Sequence, residues 1–498
     1  VIAAIIAVLI VLLLRHLTTN YGYWKKRGIP APGGVVPGLG HWWPVFSATK
    51  NVANLLEDYY NKYPDKSMVG LYLMRTPILL IRDPNLLRTI LQTDFNSFRH
   101  HQVLEGTVDP LVDQNPFFLN DDKWRDARNI LLSTMTSKKL KSVTLIALDN
   151  CSKFLKHLNN QFRGKDYIEF EAKDTFKRVT VAITANSVLS LEEVISNEDS
   201  DNIFQKMMEN CFSPTTFNSI KFAVFFFLPG LNRIFKMGFV PTWVNKQYAR
   251  VVNKLIDERE RGKEEREDVL QYLWQYCKER NMPRETMISQ SFSFFIESYE
   301  TSSLTLSFLT YHLAKYNEVQ EKLRRHVNAV VDKYDGNISY EAINEMTYLD
   351  QVISESIRFH PIASMLRKIC SEKIELVGSD GLTCRMEPEE GIIVSIYGLH
   401  HDPKYWKNPE IFRPERFDKD SEEYKERQNF VYLPFGEGPR QCPGKRLGIL
   451  IVKLILVTIL RNFIIEKSPK LQEPVTLDPK NFLPFIKGGA WIRLRPLI

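Results

Sequence analysis

The stretch Pro434-Phe435-Gly436-Glu437-Gly438-Pro439-Arg440-Gln441-Cys442-Pro443-Gly444 decides how the rest of the chain is read. The residues after it run Ile449-Leu450-Ile451-Val452-Lys453-Leu454-Ile455-Leu456-Val457, which predicts a buried helix from just after Cys442 to about Arg461. Cys442 thus precedes a helix start, with Pro443 at a favoured first-turn position. A helix N-terminus presents free N–H groups and a partial positive charge, which favour a thiolate. Gly436, Gly438 and Gly444 let the backbone approach a flat ligand closely. A phosphate loop is excluded, because five residues rather than four separate Gly438 from Gly444 and Arg446 replaces the required Ser or Thr. A buried free cysteine in a glycine-rich turn is the plain alternative.

Working outward, no Gly or Pro occurs between Arg284 and Asp335, and Thr286 to Tyr316 reads as one long helix, about 45 Å at 1.5 Å per residue. Apolar residues on most of its sides predict burial through the body. A second helix spans about Leu349 to Phe359 and contains Glu355 and Arg358, which share a helix face at i,i+3. Its apolar neighbours Val352, Ile353 and Ile357 argue that this pair is buried rather than a surface ion pair. Met68 to Arg82 has the pattern of a hairpin with Thr76-Pro77 near the turn, and short strand signals lie near 373–377, 391–396 and 490–495. The class is mainly α (α+β): a helical body with small β-sheets.

The order and spacing of these pieces resemble the cytochrome P-450 family, the haem-thiolate monooxygenases. Phe435, Gly438, Arg440, Cys442 and Gly444 fill every fixed position of its F-x-x-G-x-R-x-C-x-G signature. Glu355-x-x-Arg358 and then Pro414-Glu415-Arg416-Phe417 precede it in the family's order. The likeness runs from the N-terminus to Ile498, and Thr136-Ser-Lys-Lys-Leu-Lys141 and Glu300-Thr-Ser-Ser303 are most like microsomal members of the arthropod detoxification branch.

That resemblance implies haem b (iron-protoporphyrin IX) with Cys442 as the axial metal ligand, whose thiolate pushes electron density onto the iron. It implies contacts to the cofactor and its propionates from Arg440, Trp124, Arg128 and Arg367, with Phe435, Gly436 and Gly444 beside the macrocycle. Arg416 is expected to join Glu355 and Arg358 in a structural network behind the cysteine loop. His400 and His401 are read as part of the family's structural stretch, not as metal ligands. Glu300 and Thr301 resemble the acid–alcohol pair that delivers protons during O₂ activation, a case of general acid catalysis through a chain. The family has Ala-Gly four and three positions before that Thr, whereas Glu297 and Ser298 stand here. Glu297 lies one turn from Thr301 and should face the haem edge, where a carboxylate is costly unless bonded. The fatty-acid ω-hydroxylase branch carries Glu there and can esterify it to a haem methyl; Ser298 leaves the match to that branch incomplete.

The expected activity is insertion of one atom of O₂ into a lipophilic substrate of xenobiotic, terpenoid, fatty-acid or steroid type. No G-x-G-x-x-G follows a strand, so electrons must come from a partner. The family implies the NADPH-dependent reductase, with cytochrome b5 as a further candidate. Arg125, Lys138, Lys139, Lys141, Lys445 and Arg446 are candidates for its docking face. A haem-thiolate isomerase or dehydratase, and a catalytically silent haem-binding protein, are the other readings; the acid–alcohol pair counts against the first, and Glu297 and Ser298 leave the second open. Pocket segments are expected around 100–118, 361–367 and 484–490.

Composition sets outer limits. A net charge of +7 from 66 basic and 59 acidic residues suits a membrane surface or an acidic protein partner, and no nucleic-acid module is present. Six cysteines without a C-x-x-C pair exclude a disulfide framework or a zinc site. Val1 to Leu14 are almost wholly apolar and are followed by Arg15, Lys25, Lys26 and Arg27. This reads as an anchor in the endoplasmic reticulum membrane over residues 1–20, with the body on the cytosolic face by the positive-inside rule. A basic, Pro/Gly-rich linker follows at 21–40, then a single catalytic domain at 41–498.

Overall fold

The computed structural model describes residues 2–101, 109–191, 203–212, 221, 238–262 and 266–497. Residues 102–108 of the expected pocket segment lie outside these, as do Val1 and Ile498. The helices that position the site are α1 (Ile2–Thr18), α2 (Asp121–Ser133), α3 (Ser137–Phe162), α4 (Ala172–Leu189), α5 (Arg284–Lys315), α6 (Thr347–Phe359) and α7 (Lys445–Asn462).

Helix α5 runs through the centre of the body, about 48 Å from end to end. It starts after Pro283 and meets no Gly or Pro along its 32 residues. Its many hydroxyls survive burial because they bond back to carbonyls one turn earlier: Ser293 to Ser289 at 2.9 Å, Thr305 to Thr301 at 2.8 Å, Thr310 to Leu306 at 2.8 Å. Between them Phe292, Phe295, Leu304, Leu306, Phe308 and Leu309 join one apolar core with α3, α4, α6 and α7. Each such side chain contributes about 1.5–3 kcal/mol by leaving water. Ser289 Oγ donates to the Leu111 carbonyl at 2.7 Å and Gln290 Nε2 to the Gln114 carbonyl at 2.6 Å, which ties the 109–118 turn to this helix.

Nine described strands form three small sheets: β1 (Met68–Leu73), β2 (Thr76–Ile81), β3 (Ile168–Glu171), β4 (Met365–Ile369), β5 (Ile374–Val377), β6 (Thr383–Met386), β7 (Gly391–Ser395), β8 (Phe463–Lys467) and β9 (Trp491–Pro496). The largest has the order β1-β2-β7-β4, with β2 and β7 parallel. The hairpin expected over Met68–Arg82 is β1-β2, which turns at Met74-Arg75. A second apolar core lies on this sheet.

The segment expected as a linker at 21–40 is packed against the body. Trp24 is buried and its Nε1 donates to the Leu71 carbonyl at 2.8 Å. Its indole lies so close to Gly70 that a Cβ there would come within 2.2 Å of it. Helix α1 leaves Ile2 to Leu14 exposed, and it is tied to the hairpin by Asn20 Nδ2 donating to the Arg75 carbonyl at 3.1 Å. Among the described residues no helix is long and apolar enough to cross a membrane.

Candidate functional site

The cysteine loop and the long helix face each other across a cavity of about 430 Å³. Cys442, Phe435 and Gly436 form one wall and Ile296, Glu297, Thr301 and Thr305 the opposite one. Phe118, Phe239, Ile362, Leu366, Phe482 and Phe485 close the sides. All three expected pocket segments contribute, the third through Phe485 alone, with Lys480 to Leu483 just before it completing that wall.

The loop is held by its own backbone. Cys442 N donates to the Phe435 carbonyl at 2.8 Å. Gly438 (φ +73°) is required where it stands, because a Cβ would fall 1.8 Å from the Leu91 carbonyl oxygen. The expectation that Gly438 serves a flat ligand is corrected on this point: its close neighbour is the Leu91 carbonyl, and only Gly436 of the two borders the cavity. Helix α7 begins at Lys445 with Gly444 as its N-cap, so Pro443 precedes the helix rather than opening its first turn. The N–H groups of Gly444 and Lys445 are hydrogen-bonded to the Cys442 sulfur. Enclosure in the cavity, onto which the sulfur opens, still dominates and, with Glu297 opposite, pushes the thiol up to about 11 against those bonds and the Arg128 charge. The anticipated lowering by the helix terminus is present but is outweighed in the protein alone.

Beside the loop lies a cluster of cations. Arg440 Nη1 donates to the carbonyls of Leu119 at 3.0 Å and Pro116 at 3.3 Å, and its guanidinium lies 4.2 Å from the centre of the Trp124 ring. Its Nε and Nη2 are buried without a partner among the described residues. Trp124 and Arg128, one turn apart on α2, both line the cavity. Strand β4 supplies Lys368, whose Nζ donates to His101 Nε2 at 3.3 Å. His101 arrives there because Ile369 N bonds the His100 carbonyl at 3.0 Å, fixing the two segments side by side. Burial lowers the pKa of Arg440 to about 9, with Arg128 adding to the effect. Burial also lowers Lys368, helped by Arg440, and His101, helped by Lys368 and Arg440.

Sequence reasoning named Arg367 here, and the structure shifts that position by one. Leu366 lines the cavity and Lys368 joins the cluster from the same face of β4, so Arg367, between them, points the other way. His101 lies in the expected pocket segment 100–118 but was not singled out as a cofactor contact; its only sequence signal is a histidine in a loop.

The donor set fits the group that the sequence resemblance implies. Two carboxylates, such as the propionates of a haem, would satisfy Arg440 Nε and Nη2 and bring negative charge to a cluster in which Arg440, Arg128 and Lys368 are the cations. A lone sulfur on the facing wall supplies a soft iron ligand.

The distal wall has one exceptional turn. From Thr286 to Ala314 every residue of α5 is buried except Glu297, Ser298 and Thr301. Glu297 and Thr301 have surface only toward the cavity; Ser298 turns to α4, where Thr184 Oγ1 donates to it at 3.4 Å. Thr301 Oγ1 donates to the Glu297 carbonyl at 2.7 Å. Asn115 Nδ2 donates to Glu297 Oε1 at 2.7 Å. Enclosure raises the Glu297 carboxyl to about 7 despite that bond. Glu300 is buried, with Lys173 Nζ 2.9 Å from its Oε1.

Behind the loop, Glu355, Arg358 and Arg416 have fully buried side chains. Glu355 accepts from Arg358 at 2.7 and 3.0 Å, from Arg416 Nε at 3.0 Å and from Arg413 N at 2.8 Å. Arg358 Nη1 donates to the His400 carbonyl at 2.8 Å, and His400 Nε2 accepts from Leu433 N at 2.9 Å, one residue before the cysteine loop. His401 instead meets Glu57 at 3.0 Å.

A sequence profile described as "Cytochrome P450" matches residues 30–490. The "Probable cytochrome P450 6a13" of Drosophila melanogaster is 31% identical over 497 residues, covering 98% of this chain and 97% of the relative. The "Probable cytochrome P450 28d2" of the same species is 29% identical over 495 residues (97% and 96%), and the "Cytochrome P450 6B7" of Helicoverpa armigera 29% over 507 residues (99% and 98%).

Proposed function

Because the chain belongs to the cytochrome P450 family and is a haem-dependent monooxygenase, we propose that it oxidises a lipophilic substrate at the cytosolic face of the endoplasmic reticulum, with electrons drawn from NADPH through a partner reductase. The observation that carries the reading is the single cavity with the Cys442 sulfur on one wall, Thr301 on the other and aromatic side chains between. Cytochrome b5 is a second candidate donor.

The haem, when bound, supplies the activation of O₂ that places one oxygen atom on the substrate and releases the other as water. The chain's residues do the rest. Cys442 would hold the iron, with the Gly444 and Lys445 N–H groups supporting the sulfur's charge. Arg440, Arg128, Trp124, Lys368 and His101 would hold the propionates, while Phe435 and Gly436 would border the macrocycle. Thr301 spends its proton on the Glu297 carbonyl, so its oxygen lone pairs remain free toward the cavity to hold a water. Glu300 is placed to receive protons from the side of Lys173, whose side chain is 14% exposed. The aromatic walls exclude bulk water and select apolar molecules.

Lys445 and Arg446 at the start of α7 and Lys138 and Lys141 at the start of α3 share a surface, joined by Arg446 Nη2 donating to Ser137 Oγ at 2.9 Å. This is the face offered to the reductase. Lys139 turns inward, its Nζ 3.7 Å from the centre of the Tyr272 ring, and leaves that set. Helix α1 serves as the membrane anchor.

Reconstitution with NADPH-cytochrome reductase tests the function. The expected result is NADPH consumption that requires both reductase and a lipophilic substrate and yields a product one oxygen heavier. Substrate conversion without reductase would point to an isomerase or dehydratase instead. Thr301→Ala is expected to keep NADPH consumption but release hydrogen peroxide in place of product; unchanged coupling would remove Thr301 from proton handling.

A further inference from the structure

The distal wall holds an acceptor that neither the cofactor contacts nor the proton route uses. The Asn115 side chain cannot flip, because its Oδ1 accepts from Phe117 N at 2.7 Å while its Nδ2 donates to Glu297 Oε1 at 2.7 Å. Glu297 is therefore the acceptor in that bond, and its Oε2 has no hydrogen-bond partner among the described residues. No cation pairs with it among them either. Of the cations that line the cavity, Arg440 and Arg128 belong to the cluster that propionates would neutralise, and Lys480 stands on the 480–485 wall. The cavity that Glu297 borders is lined in large part by apolar side chains, among them Ile296, Phe118, Phe239 and Phe485. A carboxylate in such surroundings, with one neutral donor, costs several kcal/mol unless it takes up a proton or a cation arrives to meet it.

We propose that the substrates of this enzyme are lipophilic amines, bound as ammonium ions with Glu297 as the anchor and Asn115 as its positioning residue. The inference rests on the monooxygenase reading above and names its substrate class. Glu297 lies one helical turn, about 6 Å of rise, from Thr301. A molecule tethered by its nitrogen thus presents its apolar body to the place where oxygen is handled. The reaction replaces a C–H bond by C–OH; two electrons come from NADPH through the reductase, two protons from solvent, and the second oxygen atom leaves as water.

Two probes of equal shape decide it: the tertiary amine 1-(2-dimethylaminoethyl)naphthalene and its carbon isostere 1-(3-methylbutyl)naphthalene. Equilibrium dialysis of the holoenzyme at pH 7 is expected to show the amine bound about tenfold or more tighter than the isostere, although the isostere is the more apolar. In Glu297→Gln the ratio is expected to collapse toward one. Equal or weaker binding of the amine in the wild type, or an unchanged ratio in the variant, overturns the proposal. Haem that stays on the wild-type polypeptide through denaturing chromatography, and is released in Glu297→Gln, would overturn it too by assigning the carboxyl to a haem ester. Where the variant does not retain haem, the wild-type ratio alone decides. Preference for the amine without reductase-dependent product would leave the anchor standing and sink the monooxygenase reading instead.

Discussion

Two buried clusters of charge lie on either side of the cysteine loop, and they are built in opposite ways. Behind the loop, Glu355, Arg358 and Arg416 find partners at every turn: Glu355 accepts four hydrogen bonds, and the two arginines spend their remaining donors on the carbonyls of His400, Lys407, Asn408, Pro409 and Ile411 and on Glu423. In front of the loop, Arg440 is repelled by both Arg128 and Lys368, and it keeps two buried donors unmatched among the described residues. Burial alone does not say what a charge is for. A cluster whose account closes within the protein is structural, and one left short by a definite sign marks where a ligand of the opposite sign belongs.

The comparison can be broken most severely at Arg358. Arg358→Leu strands Glu355 in a fully buried site, and removing one partner of such a pair costs about 3–5 kcal/mol. The expected outcome is loss of soluble, haem-containing protein; a variant with wild-type yield and thermal midpoint would show that the network is dispensable. At the open cluster the expectation is different in kind. Arg440→Leu removes a cation that repels its neighbours, so the apoprotein should keep or gain thermal stability, while haem retention weakens by about 1.5–3 kcal/mol for the lost charged bonds. Haem transfer to apomyoglobin measures this, and an unchanged transfer rate would remove Arg440 from the cofactor contacts. Lys368→Leu should act in the same direction, and Arg367→Leu should not.

A smaller effect sharpens the contrast through pH. His312 is buried between Ser356 and His360, and burial lowers its pKa from 6.5 to about 3. Between those values the unfolded chain holds a proton that the native state refuses. Stability is therefore intact above pH 6.5 and falls as pH drops below it, by at most about 1.4 kcal/mol per pH unit from this residue. Thermal midpoints measured from pH 7.5 to 5 should decline, and His312→Gln should flatten part of that slope. A slope unaltered in the variant would assign the acid sensitivity elsewhere.

What could be read from the sequence was whatever rests on local spacing. The long helix shows in an uninterrupted apolar run, and the Glu355-Arg358 pair in its i,i+3 spacing beside apolar neighbours. Cys442 stands out because its glycines and its helix lie within a few residues of it. The misses have a common cause in tertiary context. Residues 367 and 368 are both basic, and a slip of one residue in a short strand exchanges its two faces. His101 and Asn115 sit in loops whose position is set by a bridge to β4 and by hydrogen bonds to α5, neither of which leaves a periodic mark. The helix start was placed two residues early because Pro443 suits a first turn, whereas the chain uses it before the N-cap. The segment at 21–40 has the composition of a linker, yet Trp24 fastens it to the sheet.

The central claim is that the front cluster and Cys442 together hold a haem by its sulfur. The ferrous carbon-monoxide difference spectrum of the purified protein tests it most directly. The account predicts the red-shifted Soret band of thiolate-ligated haem in the wild type and its loss in Cys442→Ser, with haem still detectable after gentle isolation. A wild-type protein without that band, or a Cys442→Ser variant that keeps it, would contradict the assignment.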